Sequence, residues 1–422
     1  MRMDVRKKVL PNGLVVVSEA MPHLSSVSLG VWVKCGSRVE TAGHAGISHF
    51  IEHLLFKGTR TRSAADIAAA IDSVGGELNA FTEKEFVGFY ARVMDRHLPL
   101  AFELLSDIVL NPTFPPREIE RERNVIFEEI NMIEDSPQEL VLDMHLEQFW
   151  KGHALGRPIS GSKETVAAIT RADVRKFFRD HYTAGNTIVA VAGNVGHRKV
   201  QALAERHFSG LAPGPAAEAG PPPTAFPGRK VRRKRHLEQT HLCLGTVSPP
   251  VDSRERYAAS LLSSVLGGGM SSRLFQNIRE KRGLVYSIYS MLNLYRDAGS
   301  LAVYAGCAPE RAAQVVELTL GEFRRLRERP VAHAALERAR EWLQGSIVLG
   351  RESSSNRMTH LAQQMIYHGR CQEPGEILKA VDRVTAREIR DLAHRLFDPS
   401  SFALTALGAG SGAEFGAAPM GA

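Results

Sequence analysis

Short apolar runs bounded by Gly, Pro and Asn alternate along this chain with longer stretches whose apolar residues recur at helical spacing. Val9 to Val17 contains Pro11-Asn12-Gly13, a turn signal between two short strands. Ser26 to Lys34 reads as a strand, and Gly46 to Gly58 as one short buried helix closed by Gly58. Ser63-Ala64-Ala65-Asp66 caps a helix running to Gly75-Gly76. Leu78 to Thr82 and Glu85 to Val93 read as neighbouring strands, and Asp95 to Leu110 as an amphipathic helix with Pro99 in its first turn. Pro115-Pro116 opens an acidic helix, Arg117 to Glu134, which Asp135-Ser136-Pro137 breaks. The helix after it, to about Trp150, has its apolar face on Leu140, Met144 and Phe149. Thr170 to Asp173 caps another helix, Asn186 to Gly193 is a strand, and Arg198 to Phe208 is a helix.

Gly210 to Gly228 has the Pro, Gly and Ala content of a linker and divides the chain near its midpoint. The second half repeats the pattern. Thr240 to Val247, Gly283 to Leu294 and Gly299 to Cys307 read as strands; Arg254 to Leu266 and Pro309 to Glu328 read as helices. Phe86 to Val93 and Gly299 to Gly306 are each followed by a helix at the same place in their halves. The expected fold is α+β, with two units of one type, each a mainly antiparallel sheet with helices packed on one face. The expected boundaries are 1–212 for the first unit, 213–228 for the linker and 229–410 for the second, with a disordered Gly- and Ala-rich tail at 411–422.

The chain has 422 residues, 44% hydrophobic and 23% charged, which suits a globular protein with a sizeable core. The net charge of +7 is spread along the chain, so no nucleic-acid partner is expected. The basic run Arg229 to Arg235 reads as a solvated strand edge. Cys35, Cys243, Cys307 and Cys371 lie far apart, which argues for reduced thiols and against a disulfide framework. No apolar run has the length of a membrane span, and Met1 to Lys8 lacks the pattern of a signal peptide. A cytoplasmic protein with no membrane partner is expected.

The chemistry concentrates in His49-Phe50-Ile51-Glu52-His53. Residues four apart share a helix face, so His49 and His53 can point at one ion, with Glu52 near it. Two neutral imidazoles suit Zn²⁺, and a free carboxylate beside a metal-bound water can act as general base. The order is the inverse of the commoner His-Glu-x-x-His. Alone, these residues fit a metal site or a hydrogen-bonded polar cluster, and a third ligand must come from another element. The acidic helix, which carries Glu118, Glu120, Glu122, Glu128, Glu129 and Glu134, is the best donor.

His49 to His53, followed by Glu122-Arg123-Asn124-Val125-Ile126-Phe127-Glu128-Glu129, resembles the pitrilysin and insulinase family of inverted-motif zinc metallopeptidases. The branch it looks closest to contains mitochondrial processing peptidase and its bacterial relatives. The resemblance implies one Zn²⁺ per chain held by His49, His53 and Glu129, with Glu52 as general base and Glu122 as a supporting acid. Arg279-Glu280-Lys281-Arg282-Gly283-Leu284-Val285-Tyr286 resembles the family segment whose Arg and Tyr, here Arg279 and Tyr286, hold the substrate backbone. Leu78-Asn79-Ala80-Phe81-Thr82 resembles the edge strand that pairs with an extended peptide, so Asn79, Ala80 and Phe81 become substrate-binding candidates. The second-half stretch Tyr257 to Leu262, which matches the His49 helix in place, has no ligands. Gly267 to Arg273 lacks the Lys of a phosphate loop and does not follow a strand; in the family's arrangement such a stretch lets a loop pass close to the active-site helix. The implied activity is endopeptidase cleavage of unstructured or presequence-like peptides enclosed between two halves. The implied assembly is a homodimer, or a heterodimer with a related inactive chain. Two rivals share these features: a subunit that keeps the fold without turnover, and a zinc-stabilised peptide-binding module. Neither gives Glu52 a task.

Overall fold

The computed structural model describes residues 4–215, 220–234 and 236–409; the tail at 411–422, residues 216–219 of the linker stretch and Arg235 lie outside the described residues. The chain forms two compact units. One gathers residues up to Asn131, Arg157–Pro221 and Val348–Glu373, and the other gathers Met132–Gly156, Pro222–Ile347 and the residues from Pro374 onward.

The first unit is built on a six-stranded sheet. Its strands are β1 (Val5–Val9), β2 (Val15–Ala20), β3 (Ser26–Val33), β4 (Glu77–Thr82), β5 (Val87–Met94) and β6 (Thr187–Gly193). They lie in the order β1-β2-β6-β3-β5-β4, antiparallel except for the β2–β6 pair. β3 and β6 are central and buried along both faces, which explains their nearly unbroken apolar sequences. On one face Val16, Leu29, Val31, Val189 and Val191 pack with Phe50, Leu54, Phe102, Leu105 and Phe208 of the helices Ile47–Leu55, Leu98–Leu110 and His197–Phe208. On the other face Val17, Trp32, Ile188 and Ala190 pack with Met358, Leu361 and Met365 of the helix Ser354–His368. A Cβ at Gly30 would stand 2.4 Å from Met358 Sδ, so this helix seats directly on the strand. Its Arg357 donates from Nε to Glu19 on β2 at 2.8 Å, inside the core.

The second unit has five strands: β7 (Gly228–Arg233), β8 (Thr240–Val247), β9 (Val285–Leu294), β10 (Gly299–Cys307) and β11 (Ala403–Gly408). Their order, β7-β11-β8-β10-β9, repeats β2-β6-β3-β5-β4, and the one parallel pair, β7–β11, falls at the matching place. Leu244, Leu301, Val303 and Leu404 face the helices Arg256–Gly267, Ala312–Glu328 and Ala386–Leu396. Cys243, Ala302, Tyr304 and Leu407 face Leu140, Val141 and Met144 of the helix Pro137–Phe149. The basic β7 is a sheet edge with mostly exposed side chains.

The chain is thus two α+β units of one topology with mainly antiparallel sheets. Each sheet also carries, on its second face, one helix supplied by the other half of the sequence. The reason is apolar burial: with Trp32 on one sheet and Tyr304 on the other, neither second face could be left to water.

Candidate metal centre

The helix Ile47–Leu55 turns Phe50, Ile51, Leu54 and Leu55 into the core, leaving His49, Glu52 and His53 half-buried on the opposite side. It starts at Gly46, whose φ of 96° favours glycine and whose Cβ would lie 2.6 Å from Ser160 O. Gly46 has no side chain to cap the helix. The carboxylate of Glu40 does so from outside, its two oxygens accepting the N–H groups of Gly46 and Ser48 at 2.8 Å each. Burial pushes the Glu40 carboxyl up to about 7, against the opposing pull of those hydrogen bonds.

The acidic helix, Pro116–Asp135, buries Ile119, Glu122, Ile126 and Ile130, and Glu129 comes to the same side as Glu122 two turns later. His49 Nε2 lies 3.5 Å from Glu129 Oε2, and His53 Nε2 lies 3.6 Å from Glu129 Oε1. The ligand-capable atoms of His49, His53 and Glu129 all lie within 4.8 Å of one another. The two rings meet edge to face with centroids 4.7 Å apart. On the far side of His53, Nδ1 and Glu122 Oε2 are 3.1 Å apart. Glu122 takes Lys57 Nζ on its other oxygen at 2.9 Å. A proton on Nδ1 of His53 leaves the Nε2 lone pair directed at Glu129.

Burial and the neighbouring His53 hold His49 down at about 4, so its imidazole is neutral at pH 7. Burial raises the Glu52 carboxyl, while Thr82 and His53 pull it down and Glu129 adds to the rise. Thr82 Oγ1, at the end of β4, donates to Glu52 Oε2 at 2.5 Å. Among the described residues no hydrogen bond reaches Glu52 Oε1.

The donor set fits a divalent cation. The neutral His49 imidazole has no charge attraction for Glu129, and gaps of 3.5 and 3.6 Å are long for hydrogen bonds. Ligand atoms on a tetrahedral Zn²⁺ with bonds of 2.0–2.1 Å stand about 3.3 Å apart. Two imidazoles and a carboxylate form a common catalytic zinc set that keeps a position open.

Of the other candidates, Asn79, Ala80 and Phe81 lie on β4, the outer strand of its sheet. Phe81 packs its ring on Trp32, centroids 5.3 Å apart, so this residue has its backbone to offer. In the second unit, Tyr286 is 76% exposed at the start of β9, an edge strand. The Arg279 guanidinium is 6.0 Å from the Tyr286 ring centre and 4.8 Å from that of Phe275. Arg279 sits in a wide-pitched helical turn, Phe275–Glu280. Thr82 and Glu40 are the two residues of the site that sequence reading missed. The signal for Glu40 was available, because a helix opening on glycine needs an acceptor from elsewhere.

Residues 15–163 match the family described as insulinase, peptidase family M16, and residues 168–343 match the peptidase M16 inactive domain. The chain belongs to peptidase family M16. An uncharacterized zinc protease of Mycobacterium tuberculosis is 44% identical over 395 residues, spanning 93% of this chain and 90% of its own. One from Bacillus subtilis is 37% identical over 393 residues, spanning 93% and 96%. A protease from Helicobacter pylori has the same fold, with a TM-score of 0.92 over 97% of this chain and all of its own, at 22% identity. This M16 protein is a zinc metallopeptidase, as the family resemblance implied. His49, Glu52, His53, Glu122 and Glu129 fall in the first family match, while Arg279 and Tyr286 fall in the one described as inactive. No helix among the described residues is long and apolar enough to cross a membrane.

Proposed function

We propose that the chain hydrolyses peptide bonds in extended, unstructured peptides at a zinc ion held by His49, His53 and Glu129. The observation that carries the reading is the convergence of two imidazole Nε2 atoms on the two oxygens of Glu129, with Glu52 beside them. Zinc supplies a Lewis acid and a bound water of lowered pKa. Glu52 receives the proton of the attacking water at its free oxygen and passes it to the leaving amine. Burial, which makes Glu52 a stronger base, is the physical reason it can do so near neutrality. Glu122 holds the His53 tautomer. β4 offers an unpaired strand edge to an extended substrate, whose backbone hydrogen bonds demand little of its sequence. By the family resemblance, Arg279 and Tyr286 of the second unit are assigned to holding the substrate backbone.

The test is mass spectrometry of a mixed peptide pool incubated with the wild type and with Glu52→Gln, zinc content being measured in both. The reading requires cleavage by the wild type and a loss of at least about a hundredfold in the variant, with zinc retained. Equal cleavage by both, or none by a zinc-loaded wild type, rejects it.

A further inference from the structure

We infer that Glu40 is a positioning residue for the metal centre, setting the place of the His49 imidazole through the start of its helix; this rests on the zinc reading above. His53 has a side-chain partner that orients it, Glu122 at 3.1 Å. His49 has none of this kind: among the described residues its Nδ1 is buried without a hydrogen-bond partner. The first ligand must therefore be placed from its backbone. It stands in the opening turn, the part of a helix whose N–H groups have no partners within the helix and which frays first. Glu40 closes that turn, and the Ser48 N–H it accepts is one residue before His49.

Glu40 is itself held on several sides. The Arg157 guanidinium donates to its backbone carbonyl. The preceding residues are tied to the turn between β4 and β5, with Ser37 N–H on Glu83 O at 3.2 Å, Arg38 N–H on Lys84 O at 2.7 Å, and a buried Arg38–Glu85 ion pair. The helix start is pinned as well. A Cβ at Gly161, which has a φ of 73°, would stand 2.3 Å from Ala45 O, and Thr165 Oγ1 donates to that oxygen at 2.8 Å. Glu40 is thus the side chain through which an anchored segment grips the ligand-bearing turn. Its carboxylate also sits at the positive end of the helix, where charge favours it.

The experiment strips the metal from the full-length protein and titrates cobalt(II), reading the visible absorption and, with a competing chelator, the affinity. The thermal midpoint of each metal-free protein is measured in parallel. Glu40→Gln should weaken cobalt binding by about tenfold or more and alter the absorption bands as His49 is released. Glu40→Asp, which keeps the charge but reaches less far, should fall between. Lower midpoints with wild-type bands and affinity would reduce Glu40 to a structural cap and overturn the inference, as would failure of both variants to fold. A wild type that binds no cobalt, or a His53→Ala variant with unchanged bands, would instead bring down the zinc reading and this inference with it.

Discussion

Thr82 links the edge strand to the proposed general base, since its hydroxyl donates to Glu52 while its backbone ends β4. A hydrogen bond to a carboxylate favours the charged form, so Thr82→Val should raise the Glu52 pKa further above its ordinary value. The acid limb of the pH profile for peptide cleavage should then move to higher pH, because Glu52 must be ionised to act. A profile that stays in place would show that Thr82 does not act on the base. Glu122 has a different task, holding His53 Nδ1 and Lys57 at once. Glu122→Gln keeps an acceptor but removes the charge. It should weaken zinc binding by roughly tenfold to a hundredfold, measurable by chelator competition; unchanged affinity would confine Glu122 to packing.

Helix Pro137–Phe149 lies on the second face of β8 and β11 and carries His145, stacked on Phe149 and 3.3 Å from Thr405 Oγ1. Burial lowers His145 to about 4 from an ordinary 6.5. Between those values the unfolded chain binds a proton that the folded one does not, so folding stability falls as pH drops from about 6.5 to about 4. The slope from this one group is at most about 1.4 kcal/mol per pH unit. His145→Leu should flatten that part of the curve of thermal midpoint against pH in the metal-free protein; an unchanged slope would assign it to other groups. A Cβ at Gly245 would come within 2.5 Å of His145 Nε2, so the helix requires a glycine on the strand beneath it.

The exchange of helices makes each compact unit depend on both halves of the sequence. A fragment ending at Pro221 would keep the whole six-stranded sheet but lose the helix Ser354–His368. Val17, Trp32, Ile188 and Ala190 would then lose their cover, leaving an apolar face of the kind that drives association. The fragment should elute as an aggregate or bind a hydrophobic dye strongly, where the full-length chain does neither. A monomeric, dye-silent fragment would show that the sheet's second face does not need this helix.

Much of the site was legible because its determinants are local. The spacing of His49, Glu52 and His53 places them on one helix side wherever that helix packs, and Glu129 and Glu122 stand two turns apart on a second helix by the same periodicity. The capping boxes at Ser63–Asp66 and Thr170–Asp173 formed as their sequences implied, since every group involved lies within one turn. The repeat of strands across the linker was also visible, because apolar alternation is a property of each strand alone. What the chain order could not convey depends on partners distant in sequence. Helices Pro137–Phe149 and Ser354–His368 show the same kind of apolar face as helices that stay with their own half, and such a face does not name the sheet it will cover. Glu40 reads as an ordinary loop acid until folding buries it against Gly46 and Ser48. The sequence by itself determined which polar residues share a helix side and which faces must be buried. Tertiary structure alone decided which surfaces meet, because hydrophobic burial is non-directional and only the packed chain selects among the apolar faces it offers.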